Sequence, residues 1–185
     1  SLRSPSDAGC ARASPNGASG SMPAELVLPT ARDTQDFGVR LAALLRAGDL
    51  IVLTGDLGAG KTTFTQGLGE GLGVRGPITS PTFVIARVHP SLVGGPDLVH
   101  VDAYRLGGAL ELDDLDLDAD LDAGVVVVEW GAGLAEHLSA DRLEITLTGE
   151  STRLARVVGV GPRWADSAAQ QALREVCRVP GEPVA

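Results

Sequence analysis

The residues best suited to chemistry fall in one run, 50–64, LIVLTGDLGAGKTTF. Gly55, four residues, Gly60, Lys61 and Thr62 satisfy the pattern G-x-x-x-x-G-K-[ST] in full. Each position has a physical reason. Glycines at 55, 58 and 60 let the main chain come close to a phosphate. The N–H groups of the loop and of the helix behind it form a concavity for anions. Asp56, Leu57, Gly58, Ala59, Gly60, Lys61, Thr62 and Thr63 are therefore the candidate phosphate cradle. Lys61 would meet the β- and γ-phosphates as a point charge, and the Thr62 hydroxyl would ligate Mg²⁺. Lys61 is also the only lysine among fifteen basic residues. A sequence that otherwise uses arginine has a compact ammonium where this chemistry favours one. The run predicts a nucleoside triphosphate site.

A phosphate loop alone hydrolyses nothing; an acid must hold the metal and a group must orient the attacking water. Glu129, after Val125–Val128 at the end of an apolar strand, is the candidate metal-site acid. Asp102, inside HVDAY, is the second candidate, since an acid in an apolar strand is costly unless paired or bound to a cation. It would contact Mg²⁺ through water or act as the general base. Thr79, Ser80 and Thr82 surround Pro81 in a loop that suits either a γ-phosphate switch or a plain turn. Arg105 could stabilise transition-state charge or pair with local acids, and Tyr104 and Trp130 read as packing or interface residues. His89, His100 and His137 show no metal-ligand spacing. Asp118, Asp120, Asp122 and Glu129 fit positions of a calcium loop, but position six is Ala123 and four valines precede Glu129. A solvated acidic face fits that stretch better.

The elements that must position these residues read as follows. Residues 1–21, rich in Ser, Ala, Gly and Pro, form a disordered leader, either a natural tail or one added ahead of a start at Met22. Residues 22–178 form a single domain, and 179–185 a flexible C-terminus. ELVLP is a strand, and Thr30 with Asp33 opens an amphipathic helix that ends near Gly48. The phosphate-loop strand leads to a helix reaching about Leu72, its second half weakened by glycines. TFVIARV and DLVHVDA alternate and pair as an antiparallel hairpin. Residues 111–122 carry seven acids and no base; GVVVVEW is then a strand buried on both faces. DRLEITLTG and RLARVVGV form a second hairpin, and ADSAAQQALREVCR a closing helix. The expected fold class is α/β, a parallel core flanked by helices and extended by antiparallel strands.

Composition narrows the functions. The formal net charge of −9 argues against a surface that grips nucleic acid. Two cysteines near opposite ends suggest neither a disulfide framework nor a metal knuckle and fit a reducing, cytoplasmic setting. No run approaches the ~18 apolar residues of a membrane helix, so no membrane partner is expected. A regulatory GTPase is excluded, because the only asparagine, Asn16, lies in the leader and cannot read guanine. A small-molecule kinase would need an acceptor pocket and lid that no insertion supplies. A docking switch that binds nucleotide with little catalysis stays open.

GDLGAGKTTF, TSPTF, HVDAYRL and VEWG, in this order and spacing, resemble the bacterial TsaE family over about Leu26 to Val160. The resemblance implies a three-layer α/β/α, P-loop NTPase-like fold with a mixed central sheet. It implies an ATPase, slow alone and partner-activated, that serves threonylcarbamoyladenosine (t6A) synthesis beside the tRNA anticodon. ATP/ADP and Mg²⁺ would be its cofactors, and the TsaD and TsaB transferase pair its partners, with tRNA met only indirectly. Gly58 to Thr63 would bind the phosphates, Thr62 and Glu129 the metal, and Asp102 would serve the catalytic or metal site. Ser80, Pro81 and Thr82 would be the nucleotide-responsive switch. Ala103 stands where the family commonly has Leu, and the acidic Leu-Asp run replaces a more mixed helix.

Overall fold

The computed structural model describes residues 23–56, 58–79, 86–103, 117–129 and 138–178. Two apolar runs form the middle of its sheet: β2 (Leu50–Thr54) and β5 (Gly124–Glu129), the latter buried along its whole length. Seven strands line up in the order β1-β7-β6-β2-β5-β4-β3. Here β1 is Ala24–Leu28, β3 Ala86–His89, β4 Asp97–Asp102, β6 Arg142–Thr148 and β7 Arg153–Val160. Strands β4, β5, β2 and β6 run parallel, whereas β3, β7 and β1 add on antiparallel. Both predicted hairpins form, β3–β4 and β6–β7; residues 82–85 of the first lie outside the described residues.

Sequence period sorts the faces. In β6 and β7 every second residue is buried, as a strand with one wet face requires. Their inward residues Leu143, Ile145, Leu147, Ala155 and Val157 join Ile51, Leu53, Val125 and Val127 in the main core. That core is covered by α1 (Ala31–Ala42), α2 (Lys61–Leu72), the short α4 (Pro162–Ala165) and α5 (Ser167–Val176). On the opposite face Leu50, Val52, Val99, Val101, Val126 and Val128 form a smaller cluster with Leu121 of α3 (Leu117–Ala123). The result is a mixed, helix-flanked α/β sheet.

Thr30 and Asp33 build the expected capping box: the Thr30 hydroxyl accepts from the Asp33 amide at 3.2 Å, and the Thr30 amide donates to the Asp33 carboxylate at 2.9 Å. The helix stops at Ala42 rather than near Gly48. Leu44 and Leu45 keep the helical period only through tighter turns, their amides bonding to Leu41 and Ala42. The glycines of α2 have a packing reason. A side chain at Gly67 would run into the Gln35 carbonyl of α1, one at Gly71 would sit 2.6 Å from the Ala42 methyl, and one at Gly38 would meet the Phe64 carbonyl. Close approach of the two helices, not weak propensity, selects them. The helix ends at Leu72 in a Schellman motif, with Gly73 bonded to the Glu70 carbonyl and Val74 to that of Gly69.

At the far end of β2 from the loop, Asp49 is buried in a two-pronged pair with Arg163, at 2.7 and 2.9 Å. Cys177 packs in the main core, and burial pushes its thiol up to about 11. It is a packing residue, not a nucleophile.

Candidate active site

The phosphate loop leaves the carboxyl end of β2, where ligands of parallel sheets bind. Gly55 packs against the β6 backbone; a Cβ there would be 2.5 Å from the Leu147 carbonyl. Gly58 and Gly60 have φ of +79° and +97°, which side-chain-bearing residues rarely adopt. Gly60 caps α2 without any side-chain hydrogen bond, and the first turn holds no acid. The N-terminal amides of α2 are thus presented to an anion.

Lys61 opens that helix and is 7% exposed. Its Nζ donates to the Gly55 carbonyl at 2.6 Å and to the Asp56 carbonyl at 2.9 Å. Burial lowers its pKa from the ordinary 10.5, while the charges of Glu129, Asp56 and Asp102 pull it back up. The carboxylates come from the sheet. Register pairs Leu53 with Glu129 and Glu129 with Asp102, so both acids end their strands side by side next to the loop. They share a face with Leu98, Val125 and Val127, the face that α2 covers. The candidates Lys61, Asp102 and Glu129, 68 positions apart in sequence at the extremes (129 − 61), therefore gather at one end of the parallel core.

Two further neighbours of the site are not among the candidates read from the sequence. Arg153, first in β7, donates through Nη2 to the Gly58 carbonyl at 2.8 Å. Its Cδ and Nε lie 2.9 Å from where a Gly60 Cβ would be, so the glycine also makes room for this side chain. His100, discounted as a metal ligand, instead lies against Glu129, its Nε2 3.4 Å from Oε1, both side chains buried. The alternation of DLVHVDA, which puts His100 and Asp102 on one face, could have pointed to it.

The donor set suits a hard cation. Asp102 and Glu129 end their strands beside the loop and Thr62 lies in the first turn of α2; Glu129 Oε1 is buried with no hydrogen-bond partner. Among the described residues no group of three His, Cys, Asp or Glu could hold a metal. A pair of carboxylates with a hydroxyl is a donor set that Mg²⁺ takes, phosphate and water filling the rest of its shell. The calcium-loop reading fails on geometry: residues 117–123 are helical, and Glu129 ends a buried strand.

Leu57, Ser80, Pro81, Thr82, Tyr104, Arg105 and Trp130 lie outside the described residues. The segment just before the candidate switch is tied to α2. Gln66 Nε2 donates to the Ile78 carbonyl at 2.9 Å, and the Ile78 side chain fills the space beside Gly69. Arg87 donates to the exposed Thr79 hydroxyl at 3.3 Å.

A family model described as "Threonylcarbamoyl adenosine biosynthesis protein TsaE" matches residues 28–158. A protein of Streptomyces coelicolor named "tRNA threonylcarbamoyladenosine biosynthesis protein TsaE" is 62% identical over 138 residues, covering 71% of this chain and 93% of its own. One of the same name in Bacillus subtilis is 39% identical over 135 residues, covering 71% of this chain and 83% of its own. The crystal structure of Bacillus subtilis YdiB superposes with a TM-score of 0.65 at 31% identity, covering 84% of this chain and 94% of that one.

Proposed function

Because the chain belongs to the TsaE family, we propose that it is the ATPase of t6A formation on tRNA. It binds ATP with Mg²⁺ at residues 55–63 and hydrolyses it to ADP in complex with the TsaB–TsaD transferase, in the cytoplasm where tRNA is modified. One observation carries the reading. A buried ammonium, Lys61, stands at the uncapped N-terminus of α2 within the field of two strand-end carboxylates. That arrangement is costly for folding and is matched to a triphosphate.

The chain's own groups act mainly by position and charge, as phosphoryl transfer requires. Loop amides and the first turn of α2 hold the β- and γ-phosphates. Lys61 neutralises charge that grows on the phosphoryl oxygens as the bond to ADP breaks. Thr62 and Glu129 would hold Mg²⁺, which would supply further neutralisation of the phosphates. Asp102 serves the attacking water or the metal's hydration shell. Arg153, bonded to the Gly58 carbonyl, braces the loop beneath the phosphates. With its side chain committed there, a further cation from a partner has room to act, and such a group is worth about 10³–10⁵-fold in P-loop enzymes.

The test is Mg²⁺-dependent phosphate release from ATP by the full chain, alone and with a TsaB–TsaD pair. Weak activity that rises with the pair, and that Lys61→Ala or Thr62→Ala removes, is the expected result. Brisk activity unmoved by the pair would overturn partner dependence and favour a small-molecule kinase. ATP-dependent binding to the pair with no turnover would favour a docking switch.

A further inference from the structure

We propose that His100 is a positioning residue for Glu129, setting the carboxylate that meets the nucleotide-bound metal; this rests on the Mg²⁺ reading above. The imidazole and the carboxylate are 1% and 5% exposed, and Nε2 stands 3.4 Å from Oε1. Neither ring nitrogen of His100 and not Oε1 of Glu129 has a formed hydrogen bond. Two polar groups held underneath α2 with bonds unmade cost stability that an apolar pair would not. The neighbouring positions on the same two strands, Leu98, Val125 and Val127, show that this face otherwise selects aliphatic side chains.

The location explains the exception. Register places His100 opposite Val127, one step deeper in the sheet than the Asp102–Glu129 row. The ring therefore forms the floor beneath the Glu129 side chain. It bars the carboxylate from folding back toward the core and holds Oε1 beside Nε2. Contacts of this kind tighten once the ligand is in place. Partners behind a metal-binding carboxylate fix its orientation in the same way, and their loss weakens metal affinity about 10–100-fold.

The experiment reads binding rather than turnover. The affinity of the full chain for a fluorescent N-methylanthraniloyl ATP is measured in EDTA and across a Mg²⁺ titration. His100→Leu should raise the Mg²⁺ concentration for half-maximal effect about 10-fold or more, with affinity in EDTA unchanged. His100→Gln, whose amide nitrogen reaches the place of Nε2, should restore most of the loss. An unshifted Mg²⁺ requirement in His100→Leu, or an equal loss with and without metal, overturns the proposal. Glu129→Gln separates the two layers of argument. If it leaves the Mg²⁺ requirement unchanged, the metal reading of Glu129 falls, and this inference with it. If it raises the requirement while His100→Leu does not, only the inference falls. Should His100→Leu not fold, His100→Gln against His100→Asn decides. The asparagine amide reaches only the Nδ1 place, so the proposal requires it to lose Mg²⁺ coupling where Gln keeps it, and equal behaviour overturns it.

Discussion

Lys61 shows how far a single residue can set stability against function. Its pKa is lowered from 10.5 by burial, with nearby carboxylates opposing the shift. A lysine whose folded pKa lies below its unfolded value is penalised for being charged in the fold. The penalty is in force through neutral pH and is relieved as pH rises through the folded value. Lys61→Met should therefore leave stability without nucleotide unchanged or raised in urea unfolding. The same variant should lose the stabilisation that Mg-ATP gives the wild type, which is ~2.7 kcal/mol at 100 times Kd. A loss above ~1.5 kcal/mol without nucleotide would show instead that the ammonium is needed to hold the Gly55 and Asp56 carbonyls. Residues of this kind were legible to differing degrees for a simple reason. Lys61 and Thr62 sit in a contiguous motif, whereas Arg153 reaches Gly58 across 95 positions and has no local pattern.

At the scale of elements, the contact between α1 and α2 aims the loop. Gly67 lies where the Gln35 carbonyl leaves no room for a Cβ. Gly67→Ala gains about 1 kcal/mol of helix propensity but must push the helices apart, at a typical cost of about 1–3 kcal/mol. The variant should be destabilised on balance, by ~1 kcal/mol. Chemical denaturation checks this, and equal or greater stability would mean that the helices separate without strain. The β3–β4 hairpin offers a pH test. His89 is buried, with Nδ1 3.2 Å from the Arg75 carbonyl. Its pKa is lowered chiefly by burial, despite that carbonyl, with His100 and Arg87 adding to the lowering. The unfolded chain takes up a proton near 6.5 that the folded chain refuses until lower pH. The contribution of His89 is thus intact above 6.5 and is lost as pH falls toward the folded value. Between pH 7 and 5 the wild type should lose more stability than His89→Asn in parallel melts, and matched slopes would count against the burial argument. Strands and hairpins were readable because alternation and apolar runs are local. The end of α1 was not, since Leu44 and Leu45 keep the helical period after the helix has closed at Ala42. The strand order was also hidden, because β1 joins the sheet beside β7, an edge that only the folded chain presents.

At the scale of the whole molecule, charge and layering define what the chain can touch. Helices α1, α2 and α5 cover one face of the sheet, while outward residues of β1 and β7 such as Val27 and Leu154 remain exposed on the other. Among the described residues no helix is long and apolar enough to cross a membrane. The chain carries 24 acids against 15 lysines and arginines. Several of those arginines are already engaged: Arg163 with Asp49, Arg142 with Glu144 and Arg153 with the loop. Affinity for tRNA depends on neutralising phosphates one cation at a time, and each contact releases counterions. A surface with net charge −9 and committed arginines has little to offer that exchange. A protein of t6A biosynthesis with this surface should reach its RNA through a partner. Alone, it should bind labelled tRNA more weakly than about 10⁻⁴ M at physiological salt, the weak limit of non-specific binding. Fluorescence anisotropy over a salt series checks this. Micromolar binding that falls steeply with salt would reveal a local basic face and make the chain itself an RNA-contacting subunit.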